Sequence, residues 1–513
     1  MPTEKDFCYI MAVDAGTESV RVGVFNQFGS LLSSAAEAYE TVYPQSGWAE
    51  QNPDAWWAAL TRATRRCLEN PMVRGKPIAA ISLDATTCTL VPLGADGRHL
   101  SPALLWMDVR AADQAQRIFQ TGHRALQYSP AGCNAEWMLC KALWLRENKD
   151  SIYQDTAHFV EYLDWLVYRL TGRLVLNLNT TTQRWYYNQR LEGFPVDLFE
   201  EIGMPELISK IPRQILPAGE QVGCLTSEAA AALNLPESTP VIQGGGDAFV
   251  ALLGMGVTGL GEIGLIAGSS NVIAGFVDRE VHGPGVFGAF PDALIPGLWL
   301  IEGGQVSTGS ILAWFKRYFA LDIQPDMVYA TLDNQAAKIS PGSDGLMVLD
   351  YFQGNRTPYT DSLARGAFWG LSLHTTRAHL FRGLMEGIAY GTAHVLEALA
   401  DLGCAPHRMV ACGGATKSGV FMQIMADVCG IPISLTEVAE ASLLGGAVLA
   451  AVGSGLYPDI PSASKQMVRM TKTYEPNMGH HEAYQFYFNL YKDTYPRLKE
   501  LMQRMGRHRQ GKE

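Results

Sequence analysis

The chain has 513 residues, of which 47% are hydrophobic and 18% are charged, and this length favours two packed domains over a single core. Its formal net charge of −11 argues against a surface for nucleic acid or for an anionic membrane, so we expect small molecules as partners. The nine cysteines include no CxxC pair and no uncharged run approaches about 18 residues, which predicts a cytoplasmic protein with reduced thiols and no membrane span.

The first motif follows an apolar strand, in the segment Asp14-Ala15-Gly16-Thr17-Glu18-Ser19, and a second strand continues from it. This pattern predicts a strand, a tight turn and a strand. Gly16 allows the backbone to approach a ligand, and backbone N–H groups together with the Thr17 and Ser19 hydroxyls suit a phosphate. Asp14 is then placed to orient Mg²⁺ through water. The alternative is an ordinary hairpin turn.

Strand-like and helix-like segments alternate along the whole chain. The helical stretch 56–68 is followed by the strand-like stretch 78–83, and the helix ending near Leu402 is followed by the strand-like stretch 409–412. This alternation predicts an α/β fold.

A glycine run separates the apolar stretch 239–242 from Asp247. We interpret the run as flexible, with Asp247 just beyond it. A carboxylate in this position can accept the proton of a substrate hydroxyl that attacks a γ-phosphorus, and can contact Mg²⁺ through water. The alternative is that Asp247 caps the helix that follows.

The glycine-rich stretch 254–261 predicts the domain boundary, with domains 1–255 and 256–513 and a hinge that closes the cleft between them. A second hairpin follows, with a small polar turn at Gly268, Ser269 and Ser270. Two hairpins of one kind suggest a duplicated domain, and two such turns would hold the β- and γ-phosphates from both sides. An ordinary turn is again the alternative.

The C-terminal part carries aromatic residues at helical spacing, in a helix predicted at about 480–503. They are Tyr484, Tyr487, Phe488, Tyr491 and Tyr495. A stripe of this kind is typical of packing rather than chemistry.

Together with Gly413-Gly414-Ala415-Thr416-Lys417-Ser418, these motifs resemble the FGGY family of carbohydrate kinases, and among them the ribulokinase or pentulose kinase type. The similarity extends from about residue 9 to 495 and includes the segments 47–53, 106–110, 138–148, 355–358 and 366–387. The resemblance implies a two-domain, actin-like (ribonuclease H-like) ATPase fold with duplicated domains and a catalytic cleft between them. It also implies a phosphotransferase with an alcohol acceptor that uses ATP and Mg²⁺.

The resemblance assigns roles by position. Asp247 matches the catalytic base of the family. The positions that match its two phosphate hairpins are Asp14, Gly16, Thr17 and Arg21, and Gly268, Ser269 and Ser270. The positions around the ribose and adenine are Gly309, Gly413, Gly414, Ala415 and Ser418.

The same resemblance predicts substrate contacts from Asp84, Trp106, Asp108, Arg110, Glu136, Asp247 and Glu302. Carboxylates are apt acceptors for sugar hydroxyls, and Trp106 can cover an apolar face of the carbon chain. For Asp108 and Arg110 the alternative is a structural pair.

The sequence therefore predicts an ATP-dependent kinase of a small open-chain sugar, with a ketopentose first and ribulose before xylulose. Kinases of a four- or five-carbon polyol such as erythritol or ribitol come next. Two further alternatives are a non-kinase ATPase of the same fold and a sugar sensor without catalysis. The resemblance allows a homodimer.

Overall fold

The structure is a computed structural model that describes residues 8–128 and 133–509. The strands in these residues are β1 Tyr9–Ala15, β2 Ser19–Asn26, β3 Leu31–Ala38, β4 Glu50–Gln51, β5 Ile78–Ala85, β6 Leu90–Leu93, β7 Ala103–Leu104, β8 His158–Glu161, β9 Leu176–Asn177, β10 Ile215–Leu216, β11 Gln221–Cys224, β12 Pro240–Gly246, β13 Glu262–Ala267, β14 Asn271–Val277, β15 Phe287–Pro291, β16 Trp299–Gln305, β17 Met347–Leu349, β18 Ala367–Trp369, β19 Arg408–Cys412, β20 Ile433–Thr436 and β21 Met470–Tyr474.

The helices in the same residues are α1 Pro53–Leu68, α2 Ala112–Gln120, α3 Met138–Asn148, α4 Asp150–Asp155, α5 Tyr162–Thr171, α6 Leu178–Arg184, α7 Val196–Glu201, α8 Ser227–Leu233, α9 Asp247–Gly254, α10 Gly309–Phe319, α11 Val328–Ala336, α12 Arg377–Asp401, α13 Gly419–Cys429, α14 Ala441–Gly453, α15 Ile460–Met467 and α16 Met478–Arg509. Among the helices of the described residues, none combines the length and apolar character that a membrane crossing requires.

Two large mixed sheets organise the chain and repeat one arrangement of five strands. The order is β3-β2-β1-β5-β12 in the first sheet and β16-β14-β13-β19-β20 in the second. In both sheets the first two pairings are antiparallel and the next two are parallel. The α/β class and the duplication predicted from the two hairpins are therefore confirmed, and the turns β1–β2 and β13–β14 occupy equivalent positions.

The two sheets are joined through packed helices. Residues of β1 alternate between two cores, with Ile10 and Ala12 in one and Met11 and Val13 in the other. The first of these cores contains α9 and α14 and is continuous with the second sheet. Gly446 of α14 lies so close to β1 that an added Cβ would be 3.2 Å from the Cβ of Ala12. Helix α14 thus links the second half of the chain to the first sheet.

Helix α16 runs through Pro496 and is longer than the predicted 480–503. Pro496 is exposed, so water can satisfy the carbonyl group that loses its N–H partner there. Tyr484, Tyr491 and Tyr495 are each at most 1% exposed. Their hydroxyls donate to Glu386, Asp350 and Asp361, respectively. The aromatic stripe packs the helix onto the core, as the periodicity predicts.

Candidate active site

Three neighbouring parallel strands bring three carboxyl groups to one edge of the first sheet. Asp14 at the end of β1 pairs in register with Asp84 at the end of β5. Gly245 of β12 also pairs with Asp84, and Asp247 begins α9 directly after this strand. Ligands of α/β sheets bind outside the carboxyl ends of parallel strands, which is where these groups lie.

The three carboxyl groups influence one another's ionisation. Burial, followed by the charge of Asp14, raises the pKa of Asp247 to about 6. Burial also raises the pKa of Asp14, although the Arg21 guanidinium, 3.2 Å from the Asp14 carboxylate, opposes this shift. The pKa of Asp84 lies well above its usual value because of burial and then of the Asp14 charge. The group therefore binds protons more readily than three isolated carboxylates.

Asp84 lies behind Asp14 rather than on an open wall. Its side chain has no exposed surface, and Oδ2 is 3.4 Å from the place where a Cβ on Gly446 would be. Within the described residues no amide, hydroxyl or guanidinium group donates to its oxygens. In this position Asp84 can hold the side chain of Asp14 in place. The geometry gives no support to the predicted contact between Asp84 and the substrate.

The glycine run before Asp247 is closely packed against its neighbours, so our interpretation of the run as flexible is wrong. A Cβ on Gly244 would lie 1.6 Å from the Leu83 carbonyl oxygen, and one on Gly246 would lie 2.3 Å from a methyl carbon of Thr87. The run is buried within β12. Asp247 is the first residue of α9, after the N-cap residue Gly246, and its carboxylate accepts the adjacent Ala248 N–H at 2.7 Å. Among the described residues no side chain caps this helix end, so the helix-capping alternative is wrong, although a carboxylate in the first turn suits the helix dipole.

The first of the two turns that the sequence predicts to bind phosphate, residues 16–19, is closed by a hydrogen bond and contacted by Trp106. The Gly16 N–H donates to the Ser19 carbonyl at 3.0 Å, and the Trp106 indole N–H donates to the Thr17 hydroxyl at 3.0 Å. Trp106 remains 38% exposed. It therefore lies beside the turn, where a substrate can reach its ring.

The second turn is bound to the N-terminus of α10. The Gly268 N–H donates to the Ser270 carbonyl at 3.0 Å, and the Ser269 carbonyl accepts the N–H of Thr308 at 2.9 Å and that of Ser310 at 3.1 Å. At Gly309, an added Cβ would lie only 2.3 Å from the Gly268 carbonyl oxygen. The helix thus touches the turn at a point where only glycine fits.

We predict that Gly309→Ala raises the KM for ATP about tenfold or more, because the new methyl group must push the second turn away from its position. Steady-state kinetics at saturating sugar checks this. The matched control is Gly223→Ala on the edge strand β11, where an added Cβ would meet only ordinary contacts, the nearest with the Arg173 side chain at 3.4 Å. An unchanged KM for ATP in folded Gly309→Ala would show that the turn does not contact the nucleotide.

A cavity of about 700 Å³ opens beside the second turn. It gathers six of the predicted nucleotide residues, namely Gly268, Ser269, Gly309, Gly414, Ala415 and Ser418. Its other walls are mainly apolar, and they come from Leu312, Tyr329, Ala330, Phe381, Met385 and Phe421. A mainly apolar cavity with a few polar groups at one end suits a flat heteroaromatic base joined to a polar chain.

The remaining predicted nucleotide residues shape this region. Gly413 adopts a positive φ of 98°, and an added Cβ would lie 2.5 Å from the Ala267 carbonyl oxygen. Ser418 caps α13 by accepting the Phe421 N–H at 3.1 Å. Asp333 of α11 also lines the cavity, and burial raises its pKa although a hydrogen bond from Ser418 opposes this. We did not predict Asp333 because no motif surrounds it in the sequence.

Two of the groups near Asp247 carry opposite charges and face each other across the sheets. Arg184 ends α6, and its guanidinium lies 3.9 Å from the carboxylate of Glu302 on β16. The guanidinium carbon is 5.5 Å from the ring centre of Trp137 and 5.9 Å from that of Phe249. Arg184 is 7% exposed, and its Nε–H has no partner within the described residues. The charge of Arg184 also lowers the pKa of Asp247, against the larger effect of burial.

Glu136 lies next to this cluster. It precedes α3, is partly buried, and directly adjoins Trp137 in sequence. Its backbone N–H donates to the Asn134 side chain at 3.2 Å. Against the effect of burial, the charges of Glu302 and Glu136 both raise the pKa of Arg184, and the charge of Arg184 acts on Asp247. Of the predicted substrate residues, Glu136, Glu302 and Asp247 therefore lie near Arg184.

Asp108 and Arg110 form the structural pair that the sequence left as an alternative. The Asp108 carboxylate accepts Arg110 Nε–H at 2.8 Å and the Ala49 N–H at 2.7 Å, and it has no exposed surface. Arg110 also binds Glu50 at 2.7 Å and stacks 3.7 Å above the Trp48 ring. Both groups are satisfied within the protein, so the geometry gives their predicted substrate contact no support.

A salt bridge joins the segment after α6 to the turn between β15 and β16. Arg190 donates to Asp292 through Nε at 2.8 Å and through Nη2 at 2.7 Å. Hydrogen bonding from Arg190 is the main reason that the pKa of Asp292 falls to about 2. The bridge helps to keep α6 and β16, and with them Arg184 and Glu302, facing each other.

A separate cluster of residue types that bind metals lies at the N-terminus of α12, formed by Asp344, His374 and His379. Nδ1 of His379 accepts the Thr376 backbone N–H at 3.1 Å, which places the ring proton on Nε2, 3.1 Å from Asp344. A protonated Nε2 has no lone pair for a metal ion. The cluster therefore stabilises the start of the helix.

Comparison with known proteins gives consistent matches along the chain. The N-terminal domain model of the FGGY family of carbohydrate kinases matches residues 9–254, and the C-terminal domain model matches residues 265–454. An FGGY carbohydrate kinase domain-containing protein from Xenopus laevis is 31% identical, over 97% of this chain and 98% of its own length.

Two further comparisons agree in length and fold. A ribulokinase from Halalkalibacterium halodurans is 29% identical, over 96% of this chain and 97% of its own. The crystal structure of xylulose kinase from Rhodospirillum rubrum superimposes with a TM-score of 0.88 at 26% identity, and covers 96% of this chain and 100% of its own.

Proposed function

Because this chain belongs to the FGGY family of carbohydrate kinases, which are phosphotransferases with an alcohol group as acceptor, we propose that it transfers the γ-phosphoryl group of ATP to a terminal hydroxyl of a ketopentose. Ribulose is the first candidate and xylulose the second, and the names ribulokinase and xylulose kinase among the relatives support a ketopentose. The observation that carries the proposal is the convergence of Asp247, Arg184 and Glu302 beside the first phosphate turn.

In this proposal the reaction takes place within the two-domain kinase fold of this family. We propose the domain limits 1–255 and 256–513, with the glycine-rich stretch 254–261 as the hinge. The ranges matched by the two family models, with a gap between residues 254 and 265, support this division. Closure about such a hinge would exclude water from the transferred phosphoryl group.

Asp247 acts as the general base in this proposal. A pKa near 6 leaves its carboxylate ionised at neutral pH while keeping it basic enough to receive a hydroxyl proton. The substrate oxygen then bonds to the γ-phosphorus, the bond from that phosphorus to the β–γ bridging oxygen breaks, and ADP leaves. The proton remains on Asp247 until solvent removes it.

The two phosphate turns and the 700 Å³ cavity hold the nucleotide. On the first turn we assign Asp14, Gly16, Thr17, Ser19 and Arg21 to the phosphates. On the second side we assign Gly268, Ser269, Ser270, Gly309, Gly413, Gly414, Ala415 and Ser418 to the phosphates, the ribose and the base. Asp333 joins this set because its carboxyl oxygens are acceptors on the cavity wall.

The site has the chemistry of a divalent cation site. After burial, the charge of Asp14 is the main cause that raises the pKa of Asp84 and that of Asp247, and the Arg21 guanidinium contacts Asp14 at 3.2 Å. Asp14 and Asp247 would hold Mg²⁺ through water, and the ion would neutralise phosphate charge when bound.

Arg184, Glu302 and Glu136 recognise the sugar in this proposal. A guanidinium has only donors, so it suits the carbonyl oxygen that a ketopentose has and a polyol lacks. Glu302 and Glu136 supply acceptors for hydroxyl groups, and Trp106 offers an apolar ring at the first turn. These complementary groups favour a ketopentose over erythritol or ribitol.

The test is ADP release by the purified protein with Mg-ATP and each of D- and L-ribulose, D- and L-xylulose, ribitol, arabinitol, erythritol and glycerol. We expect one ketopentose to give a kcat/KM at least about tenfold above every polyol, because only the ketose pairs its carbonyl with Arg184. A preferred polyol would overturn the ketopentose assignment, and ATP hydrolysis that no sugar stimulates would overturn the kinase assignment.

A further inference from the structure

The first phosphate turn is held from its core side by a chain of tyrosine hydroxyls. The Tyr162 hydroxyl donates to the Tyr39 hydroxyl at 3.0 Å, and the Tyr39 hydroxyl donates to the carbonyl oxygen of Gly16. Burial raises the pKa of Tyr39, so its hydroxyl stays a donor at neutral pH. Both tyrosine hydroxyls therefore donate in the direction of the turn.

A second chain reaches the next carbonyl group of the same turn. The Trp56 indole N–H donates to Gln51 Oε1 at 2.7 Å, and Gln51 Nε2 donates to the Thr17 carbonyl at 2.7 Å. The same Nε2 also donates to the Thr41 hydroxyl at 2.7 Å. Gln51 is 2% exposed, so its amide has no freedom to exchange these partners for water.

Both chains begin on one rigid pair of rings. Trp56 and Tyr162 stack with their centres 3.7 Å apart and their planes inclined by 28°. Each side chain is at most 1% exposed. Two successive carbonyl groups of the turn are thus anchored on a single packed element of the core.

These anchors orient the other side of each peptide group. In a planar trans peptide the C=O and N–H bonds point in opposite directions, so a carbonyl bound towards the core directs the N–H of the next residue outwards. The affected N–H groups belong to Thr17 and Glu18, and in the part of the chain that the structure describes neither has an acceptor. Adjacent free N–H groups of this kind form an anion-binding concavity.

We propose that Tyr39 and Gln51 are positioning residues, which hold the peptide groups of Gly16 and Thr17 so that two N–H groups are preset to receive a phosphate of the nucleotide. This inference deepens the proposed function and rests on it. It also gives a role to Gln51, which lies in the segment 47–53 that the sequence analysis singled out without one. Donors oriented before the ligand arrives reduce the ordering that binding requires.

The test compares Tyr39→Phe and Gln51→Leu with the wild type in steady-state kinetics and in calorimetric binding of ADP. We expect Tyr39→Phe to lower kcat/KM for ATP about three- to tenfold, and Gln51→Leu about tenfold or more, with the KM for sugar within about twofold. The Kd for ADP should rise by similar factors, because the donors lose their fixed orientation before any chemistry.

The matched control is Tyr153→Phe. Tyr153 is also fully buried, and its hydroxyl donates to Glu206 at 2.9 Å. This control should lose stability and keep the kinetic constants and the Kd for ADP. Wild-type kinetics and ADP binding in folded Tyr39→Phe and Gln51→Leu would overturn the inference, as would equal losses in Tyr153→Phe. If the proposed function is wrong, the wild type will bind ADP but phosphorylate no sugar. In that case the Kd values of the wild type and the variants for ADP still test the inference.

Discussion

Asp247→Asn is expected to lower kcat for sugar-dependent ADP release about 10³-fold, because the amide keeps the shape of the side chain and cannot accept the hydroxyl proton. We expect this loss of kcat to be the largest effect of any single substitution. The Asp247 carboxylate has a pKa of about 6 and lies at the sheet edge where β1, β5 and β12 end. The measurement is kcat at saturating ATP and sugar.

A stability measurement separates loss of the base from misfolding. The folded pKa of Asp247 is raised above its unfolded value, so its contribution to stability is present at low pH and is lost as the pH rises through about 6. Without nucleotide and with EDTA, Asp247→Asn should exceed the wild type in free energy of unfolding by about 1–2 kcal/mol at pH 7.5, and by less at pH 4. An inactive variant that is also less stable would contradict this account, and so would an active one.

Arg184→Met should lower kcat/KM for the sugar about 100-fold while the KM for ATP stays within about threefold. The physical reason is the loss of a buried guanidinium whose Nε–H has no partner among the described residues and whose Nη2 lies 3.9 Å from Glu302. Methionine fills a similar apolar volume between Trp137 and Phe249 and offers no donor. Initial rates over a matrix of sugar and ATP concentrations provide both constants.

The matched control for Arg184 is Arg408→Met. Arg408 binds Glu262 at 2.7 Å, and both residues lie at the N-terminal ends of β19 and β13, opposite the edge that carries the phosphate turn. This control should keep the KM for sugar. A loss of ATP affinity in Arg184→Met as large as the loss for sugar would place Arg184 at the nucleotide, against our proposal.

Local chemistry explains why much of the active site was predictable. A strand that ends in glycine, threonine and serine before a second strand predicts its own turn, because turn propensity depends on neighbouring residues. The structure confirms both hairpins and the duplicated fold, and the phosphate role of the two turns stays a prediction. Gly414, Ala415 and Ser418 were predictable in the same way, since they form one continuous loop before α13.

Residues that act across the fold could not be found in this way. Arg184 meets Glu302 only because α6 and β16 are brought together, and Asp333 reaches the 700 Å³ cavity only because α11 packs beside it. Gln51 lies in a segment that resembled the family, yet its contact with the Thr17 carbonyl depends on how β4 lies against the turn.

The fold class, the two turns and the place of Asp247 after a strand could be predicted because they depend on local patterns of apolar residues, glycines and hydroxyls. The tertiary structure decided which polar side chains remain open. Asp84 is covered by α14, and Asp108 accepts hydrogen bonds from Arg110 and the Ala49 N–H, whereas the Nε–H of Arg184 has no partner in the part of the chain that the structure describes. The reason is that sequence specifies a side chain's chemistry, while its availability to a ligand depends on neighbours that come from distant parts of the chain.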